Sequence, residues 1–189
     1  MRPLKNESRI LGIDDAPFTK HKDQHVLLIG TIFRGGQWMD GIITSHARVD
    51  GDDATEQITT MINQSRFKNN IFVTLINGIA VGGFNVIDIE QLWKDTGIPV
   101  ISVTRRYPNF LAIYEALHKL GMDHKITLIK NAGKPEQIDR IYIQCKGIKL
   151  SEAKNIIKLT CTRSYIPEPL RAAHIIATGI VKGESKGRA

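Results

Sequence analysis

Residues 9–15 read Arg-Ile-Leu-Gly-Ile-Asp-Asp and are followed by Ala16-Pro17. The apolar run predicts a short buried strand over residues 9–13, which Asp14 and Asp15 end. A carboxylate at the tip of a buried strand is costly unless a cation or hydrogen bonds hold it, and a rigid sheet can present a metal ligand there. The alternative is a turn, because Asp ahead of Pro is a common turn signal.

The next segments predict a hairpin and then a helix. Residues 26–33 form a second apolar run, and Arg34-Gly35-Gly36-Gln37 is a hairpin signal, so residues 38–49 should return as a third strand. Asp53 and Glu56 have the spacing of a helix capping box. The inner face of that helix should carry Ile58, Met61 and Ile62.

The rest of the chain alternates between strand and helix patterns. Residues 71–76 are unbroken apolar and predict a strand buried on both faces. Asn85 should cap a helix that carries Val86, Ile89, Leu92 and Trp93 and ends at Gly97. The remaining predicted elements are strands at 99–103, 126–129 and 140–144, a helix opened by Pro108, and helices at 151–161 and 167–181.

This order predicts a mixed α/β fold. The first three strands should be antiparallel, and later strands should add in parallel through right-handed crossovers with flanking helices. We expect a single domain over residues 1–189, with a frayed tail from about residue 182.

Composition restricts the class of protein. The chain has 189 residues, is 42% apolar, and contains no apolar run long enough to span a membrane or act as a signal peptide. We therefore expect a cytoplasmic protein without a membrane partner. Cys145 and Cys161 are expected to be reduced core residues rather than a disulfide or a zinc site.

Charge is unevenly distributed along the chain. Residues 1–100 hold 10 Lys/Arg and 12 Asp/Glu, a balance of −2, whereas residues 101–189 hold 16 and 7, a balance of +9. A basic half favours a nucleic-acid partner, because Lys and Arg displace counterions condensed on phosphates. DNA and RNA both satisfy this argument, a generally basic protein is the alternative, and the oligomeric state stays open.

Acidic and amide side chains should meet at one edge of the sheet. Asp14 ends the first strand and Asn77 ends the fourth, while Asp50 and Asp53 lie between the third strand and its helix. Oxygen ligands from these residues would suit Mg²⁺, with Mn²⁺ as a substitute, and such a metal can activate water on a phosphodiester. The alternatives are a turn at Asp50-Gly51 and a helix cap at Asp53.

Other residues have a functional and a structural interpretation. Gly82-Gly83 could cradle a phosphate ahead of a helix or form a tight turn, and Asp88 suits a helix start. Arg105 and Arg106 could contact phosphates or be a solvated pair. The same choice holds for the basic stretch Lys146, Lys149, Lys154, Lys158 and Arg163. His174 is expected to be a packing residue of the last helix, with a role at the site as the alternative.

Several motifs together resemble the endonuclease V family. Pro167-Glu168-Pro169 leads into an Arg-containing last helix, residues 75–85 are similar to that family's fourth-strand motif, and Gly12-Ile13-Asp14-Asp15 is similar to its first-strand motif. Together with residues 50–53, these motifs resemble an archaeal branch of the superfamily long catalogued as uncharacterised, a member of which is described as a deoxyuridine endonuclease. The resemblance spans nearly the whole chain.

The resemblance implies a ribonuclease H-like fold and Mg²⁺-dependent cleavage of DNA next to a deaminated base. Carried over by position, Asp14 is the principal metal ligand, and Asp50 or Asp53 stands where endonuclease V has a glutamate. Asn77 stands where the family has a metal-binding aspartate, and residues 145–150 hold no counterpart of its catalytic histidine. Asp15, Glu168 and His174 are candidates for supporting roles.

Three functions follow as hypotheses. The first is a metal-dependent endonuclease acting on DNA at or near a deaminated base, deoxyuridine above all, in DNA repair. The second is a nucleic-acid-binding protein of the same fold that has lost catalysis, which the uncharged Asn77 favours. The third is a nucleotide-binding protein using Gly82-Gly83, although that loop lacks the lysine of a P-loop.

Overall fold

The computed structural model describes residues 3–185 of the chain. Its strands are β1 (Arg9–Asp15), β2 (His25–Arg34), β3 (Trp38–Arg48), β4 (Ile71–Asn77), β5 (Ala80–Val81), β6 (Asn85–Val86), β7 (Val100–Thr104), β8 (Glu136–Ile138) and β9 (Ile141–Lys146). Its helices are α1 (Ala54–Asn63), α2 (Ile89–Thr96), α3 (Phe110–Lys119), α4 (His124–Asn131), α5 (Leu150–Thr160) and α6 (Glu168–Lys182).

Seven of these strands form one mixed sheet in the order β3-β2-β1-β4-β7-β9-β8. The first three strands are antiparallel, and β4 and β7 then add in parallel to β1. The mixed α/β fold predicted from the sequence is confirmed. The prediction that later strands add in parallel was wrong at the far edge, where β9 runs antiparallel to β7 and β8 runs antiparallel to β9.

The central strand β1 is buried because helices and neighbouring strands cover it. Its Ile10, Leu11 and Ile13 are at most 1% exposed, as an apolar strand in the middle of a mixed sheet requires. Helix α6 crosses β1 so closely that a Cβ at Gly12 would overlap Pro169 and lie 2.7 Å from the backbone nitrogen of Leu170. On β2, Thr31 Oγ1 donates a hydrogen bond to the Pro169 carbonyl at 2.7 Å. These contacts fix α6 across β1.

Two local predictions were wrong for identifiable reasons. Residues 126–129 belong to α4 rather than to a strand, because Lys125 and Ile129 are four residues apart and bury one helical face. Asn85 lies in the short strand β6, and α2 begins at Ile89 with Asp88 as its cap. Asp88 accepts hydrogen bonds from the amides of residues 90 and 91, so its predicted place at a helix start is confirmed.

The start of α1 also differs from the predicted capping box. Asp53 occupies the N-cap position but makes no side-chain cap bond. The Ala54 amide instead donates to Asn85 Oδ1 at 2.9 Å, so a side chain 31 residues away satisfies this helix start. The predicted inner face is confirmed, because Ile58, Met61 and Ile62 are buried.

The C-terminal helix ends at Lys182, and Gly183 closes it in a left-handed conformation. Residues 186–188 of the predicted frayed tail lie outside the described residues. No helix described between residues 3 and 185 is long and apolar enough to cross a lipid bilayer.

Candidate active site

The register of β1 against β4 brings two polar side chains together at the carboxyl end of the sheet. Ile13 pairs with Ile76, so the next residues of the two strands, Asp14 and Asn77, stand side by side. Asn77 Nδ2 donates to Asp14 Oδ1 at 3.0 Å. The contact between the first and fourth strand ends predicted from the sequence is therefore present.

Helix α6 supplies a third side chain to this point. His174 Nδ1 lies 2.9 Å from Asp14 Oδ2, and the Asp14 residue is only 3% exposed. The hydrogen bond to Asp14 is the main cause that raises the pKa of His174, against burial and the positive charge of Arg105. A buried aspartate held by an amide and an imidazole has a fixed orientation, as a ligand or catalytic group needs.

Asp15 is a carboxylate beside the carboxylate of Asp14, and the two negative charges repel each other. Its Oδ2 accepts a hydrogen bond from the Gly82 amide at 2.9 Å. Burial raises the pKa of Asp15 to about 6, the Gly82 hydrogen bond opposes this, and the charge of Asp14 adds to the rise. Two adjacent carboxylates in a partly buried place attract a cation.

These groups open onto a cleft of about 340 Å³. Asp14, Asp15, Asn77 and His174 line it together with residues 16–18, which are apolar. The cleft therefore presents two carboxylates, an amide and an imidazole to a ligand at the edge of a rigid sheet.

The other predicted acidic residues lie near this point but are directed elsewhere. The Asp50 amide donates to the Gly82 carbonyl at 2.8 Å, and the amide of the same glycine donates to Asp15, so Gly82 connects the two aspartates. Its carboxylate accepts from the Phe84 amide at 2.8 Å. Asp53 Oδ1 accepts from the Arg48 amide at 3.0 Å and from Asn85 Nδ2 at 2.6 Å. Metal ligation by Asp50 or Asp53 stays a prediction.

The Gly82-Gly83 pair turns a β-hairpin rather than preceding a helix. It connects β5 and β6, and both glycines have positive φ angles, 53° and 87°. A Cβ at Gly83 would overlap the Asp50 carboxylate, so glycine is needed for the hairpin to pack on this loop. Because the Gly82 amide donates to Asp15, it cannot at the same time donate to a phosphate, which weakens the interpretation of this loop as a phosphate cradle.

A buried lysine that the sequence did not single out holds this hairpin to the β3–α1 loop. Lys125 is 1% exposed, and its Nζ donates to the carbonyls of Asp50, Gly51 and Phe84 at 2.6–2.9 Å. Its Nζ also lies 3.2 Å from Asp52 Oδ1. A charge buried to this extent must be paired, so Lys125 fixes the position of the loop that carries Asp50.

The predicted basic residues separate into two groups. Arg105 and Arg106 directly follow β7, whose Val103 pairs with Asn77, so they lie at the same edge as Asp14. Lys146 pairs with Val100, the first residue of β7, and so lies toward the opposite edge together with Lys149. Lys146 also forms an ion pair with Glu90 at 3.2 Å.

Glu168 and the two cysteines have structural environments. Glu168 is 4% exposed, and Arg171 binds its carboxylate through two nitrogens at 2.7–3.0 Å. Cys145 and Cys161 are free thiols, and burial raises the pKa of Cys161 to about 12. A role of Glu168 at the site stays a prediction.

The donor set at Asp14 suits a hard cation. Within the described residues no three His, Cys, Asp or Glu side chains are arranged to share a metal ion. Mg²⁺, however, usually takes one or two carboxylates and keeps several waters, and it prefers oxygen ligands. The carboxylates of Asp14 and Asp15 and the amide oxygen of Asn77 provide this chemistry in one cleft.

The sheet order and the aspartate at the end of the central strand define a ribonuclease H-like fold of the endonuclease V type. Endonuclease V from Ciona intestinalis, solved with a 24mer DNA containing an inosine followed by a ribo-adenosine, has a similar structure. Its TM-score is 0.62 at 14% identity, covering 93% of this chain and 86% of that one.

More similar proteins identify the family. The family model for endonuclease dU matches residues 6–181, and the chain belongs to that family. A UPF0215 protein from Methanothermobacter thermautotrophicus is 50% identical over 193 residues, covering 100% of this chain and 95% of that protein. A crystal structure of a protein of unknown function from Archaeoglobus fulgidus has a TM-score of 0.85 at 33% identity, covering 91% of this chain and 97% of that one. The family supports a nuclease-like, DNA-binding role.

Proposed function

We propose that the chain is a Mg²⁺-dependent endonuclease that cuts DNA at or near a deaminated base, deoxyuridine in particular, as a step of DNA repair. The observation that carries the proposal is Asp14, held between Asn77 and His174 beside Asp15 at the open edge of the sheet. Membership of the endonuclease dU family supports the choice of base.

Asp14 and Asp15, with the amide oxygen of Asn77, would hold the metal. When bound, Mg²⁺ supplies a Lewis acid for the phosphodiester and lowers the pKa of an attacking water. Asn77 and the Asp15 amide keep Asp14 oriented, and His174 lies where it can deliver or accept a proton at the cleft. Arg105 and Arg106 lie at the same edge, where they would hold the DNA backbone.

Recognition of one deaminated base requires access to its edges, which stacking and pairing restrict in a duplex. An enzyme of this kind takes the target nucleotide out of the stack, which costs least where the base is mispaired or damaged. Uracil opposite guanine, the product of cytosine deamination, is such a mispair. We therefore expect a U·G duplex to be cut faster than a U·A duplex of the same sequence.

The test is nicking of a labelled duplex containing one uracil, against the same duplex with thymine, with and without Mg²⁺. We expect uracil- and Mg²⁺-dependent nicking by the wild type and loss of at least about a hundredfold in Asp14→Asn, the order that loss of an essential charge-stabilising group costs. Asp95→Asn on the exposed face of α2 is the matched control and should keep full activity.

Metal binding should be measured without cleavage, by the rise in thermal unfolding temperature with Mn²⁺. Stabilisation of the wild type but not of Asp14→Asn is expected, because a ligand that binds only the folded state stabilises it. Equal cleavage by both proteins, or none by the wild type, contradicts the proposal. DNA binding with a steep salt dependence but no nicking would instead assign the chain as a catalytically inactive DNA-binding protein.

A further inference from the structure

An aromatic cluster lies directly after β7. Tyr107 packs edge-to-face on Phe110 and on Tyr142, with ring centroids 5.8 and 5.4 Å apart, and Phe110 continues to Tyr114 at 6.0 Å. The cluster holds three of the chain's four tyrosines in a protein that is only 6% aromatic. Phe110 and Tyr114 are partly buried against a core cluster that contains Leu117, so Tyr107 is the one exposed ring among the four.

The cluster is on the same edge of the sheet as Asp14. Tyr142 pairs with Thr104, the last residue of β7, and one residue earlier on β7 Val103 pairs with Asn77. Arg105 directly follows Thr104, so it lies between the end of β7 and the aromatic cluster. The aromatic rings therefore lie at the same edge of the sheet as the Asp14 cleft.

Part of the aromatic cluster is exposed to solvent. Tyr107 is 47% exposed, and Leu111 on the first turn of α3 is 76% exposed. Arg106 is exposed beside them, and neither Arg105 nor Arg106 forms an ion pair with any residue between 3 and 185. Exposed aromatic surface next to uncompensated guanidinium groups has the chemistry of a single-stranded nucleic acid site, in which bases stack and phosphates pair with cations.

We propose that Tyr107 is a stacking platform for an unpaired nucleobase and that Arg105 and Arg106 bind the phosphates on either side of it. The strand would then reach Asp14 with its bases already unstacked. This inference rests on the proposed function, because it gives the form in which the DNA strand enters the same cleft. The positive charge favours nucleic acid over an apolar protein partner as the occupant.

The experiment compares two ligands that differ only in their bases. One is a fluorescently labelled thymidine 12-mer, and the other is a 12-mer of the same length built of abasic tetrahydrofuran units. Affinities are measured by fluorescence anisotropy without metal, so cleavage plays no part. We expect the wild type to prefer the base-bearing strand by roughly five- to a hundredfold, the range that stacking of one or a few bases gives.

Two substitutions separate stacking from packing. Tyr107→Leu keeps apolar bulk against Phe110 and Tyr142 but has no π face, so it should lose the preference for the base-bearing strand and bind both ligands like the abasic one. Tyr107→Phe should retain the preference. Tyr165→Leu is the matched control, because Tyr165 is 40% exposed and lies in the loop that contacts the β2–β3 hairpin at the opposite edge of the sheet.

The outcomes distinguish this inference from the proposed function. A wild type that binds both ligands equally, or a Tyr107→Leu protein that keeps the preference, overturns the stacking platform. Equal loss of preference in Tyr107→Leu and Tyr165→Leu also overturns it, because the effect would not be local. Absence of nicking together with a Tyr107-dependent preference would reject the nuclease and leave the platform standing.

Discussion

The ionised side chain of Asp15 destabilises the fold, and the same negative charge would help to bind a metal ion. Its carboxylate has a pKa of about 6 in the folded chain, mainly because of burial, against 3.8 in the unfolded chain. The folded state therefore binds a proton more tightly than the unfolded state, and the ionised form at neutral pH is destabilising. A bound cation would remove this penalty, which is a reason for an acidic residue to remain at this position.

The first prediction is that Asp15→Asn is more stable than the wild type in metal-free buffer above about pH 7. The sign follows from the raised pKa of Asp15, because wild-type stability is lost as pH rises from about 4 through 6, while an asparagine keeps the Gly82 hydrogen bond without the charge. The gain should be on the order of 2 kcal/mol and should vanish near pH 4. Urea unfolding at both pH values measures it.

Asp95→Asn, which changes an exposed carboxylate, is the control and should change stability by no more than about 0.5 kcal/mol, as is usual for surface substitutions. A wild type at least as stable as Asp15→Asn at about pH 8 would show that Asp15 is not under electrostatic strain.

At the scale of elements, the contact between β1 and α6 determines the site. Asp14 is on the strand and His174 is on the helix, so their 2.9 Å contact requires the close crossing that Gly12 allows. The helix is also fixed by its start, where the Pro169 carbonyl accepts a hydrogen bond from Thr31. The two site residues are thus aligned by backbone packing rather than by their own side chains.

The second prediction compares Gly12, which lies on β1 and packs against the start of α6, with Gly179, which lies within α6. Gly12→Ala places a methyl group against the backbone at Pro169 and Leu170 and should destabilise the fold by about 1–3 kcal/mol, the usual cost of overpacking. In Gly179→Ala, no atom outside the adjoining helix backbone lies within 4 Å of the new methyl group, so the variant should be more stable by up to about 1 kcal/mol through helix propensity.

Thermal and urea unfolding of the two variants measure these opposite effects. Gly12→Ala should also reduce metal binding, because a displaced α6 removes the His174 contact that helps to orient the ligand Asp14. Gly179→Ala should leave metal binding unchanged. Two variants of equal stability would contradict the close packing of α6 on β1.

At the scale of the whole molecule, position on the sheet decides which basic residues can act on a substrate at Asp14. The net charge is +7, and the excess lies in the second half of the sequence. Arg105 and Arg106 share the edge of Asp14, whereas Lys146 and Lys149 lie toward the other edge. Residues that are equivalent in a charge count therefore differ in their distance from the cleft.

The third prediction concerns the salt dependence of binding to duplex DNA. The logarithm of the association constant falls linearly with the logarithm of the salt concentration. Replacing Arg105 and Arg106 with Gln should make this negative slope smaller in magnitude by about 1–2, because each lost phosphate contact removes about one released counterion. Replacing Lys149 and Lys154 with Gln removes the same charge from the opposite edge and from α5 and should leave the slope unchanged. Anisotropy titrations at several salt concentrations measure both, and an equal fall in both proteins would indicate binding by general charge.

Much of the fold followed from local patterns. Alternating apolar runs and turn signals predicted β1 to β4, α1 and the last two helices, and the parallel pairing of β1 with β4 placed Asp14 next to Asn77. The α4 segment was predicted as a strand because its short run of Ile-Thr-Leu-Ile has high β propensity, and only the burial of Lys125 and Ile129 shows the helical face. Short apolar runs do not distinguish these alternatives.

Periodicity and strand-pairing rules were enough to predict the mixed α/β class, the antiparallel pairing of the first three strands and the meeting of two strand ends. The partner that each polar side chain takes depended on contacts between distant segments. His174 reaches Asp14 across 160 residues, Lys125 reaches Asp50 across 75, and Asn85 rather than Asp53 caps α1. The physical reason is that a buried polar group must find a partner wherever packing brings one, and packing joins segments whose separation along the chain leaves no local pattern.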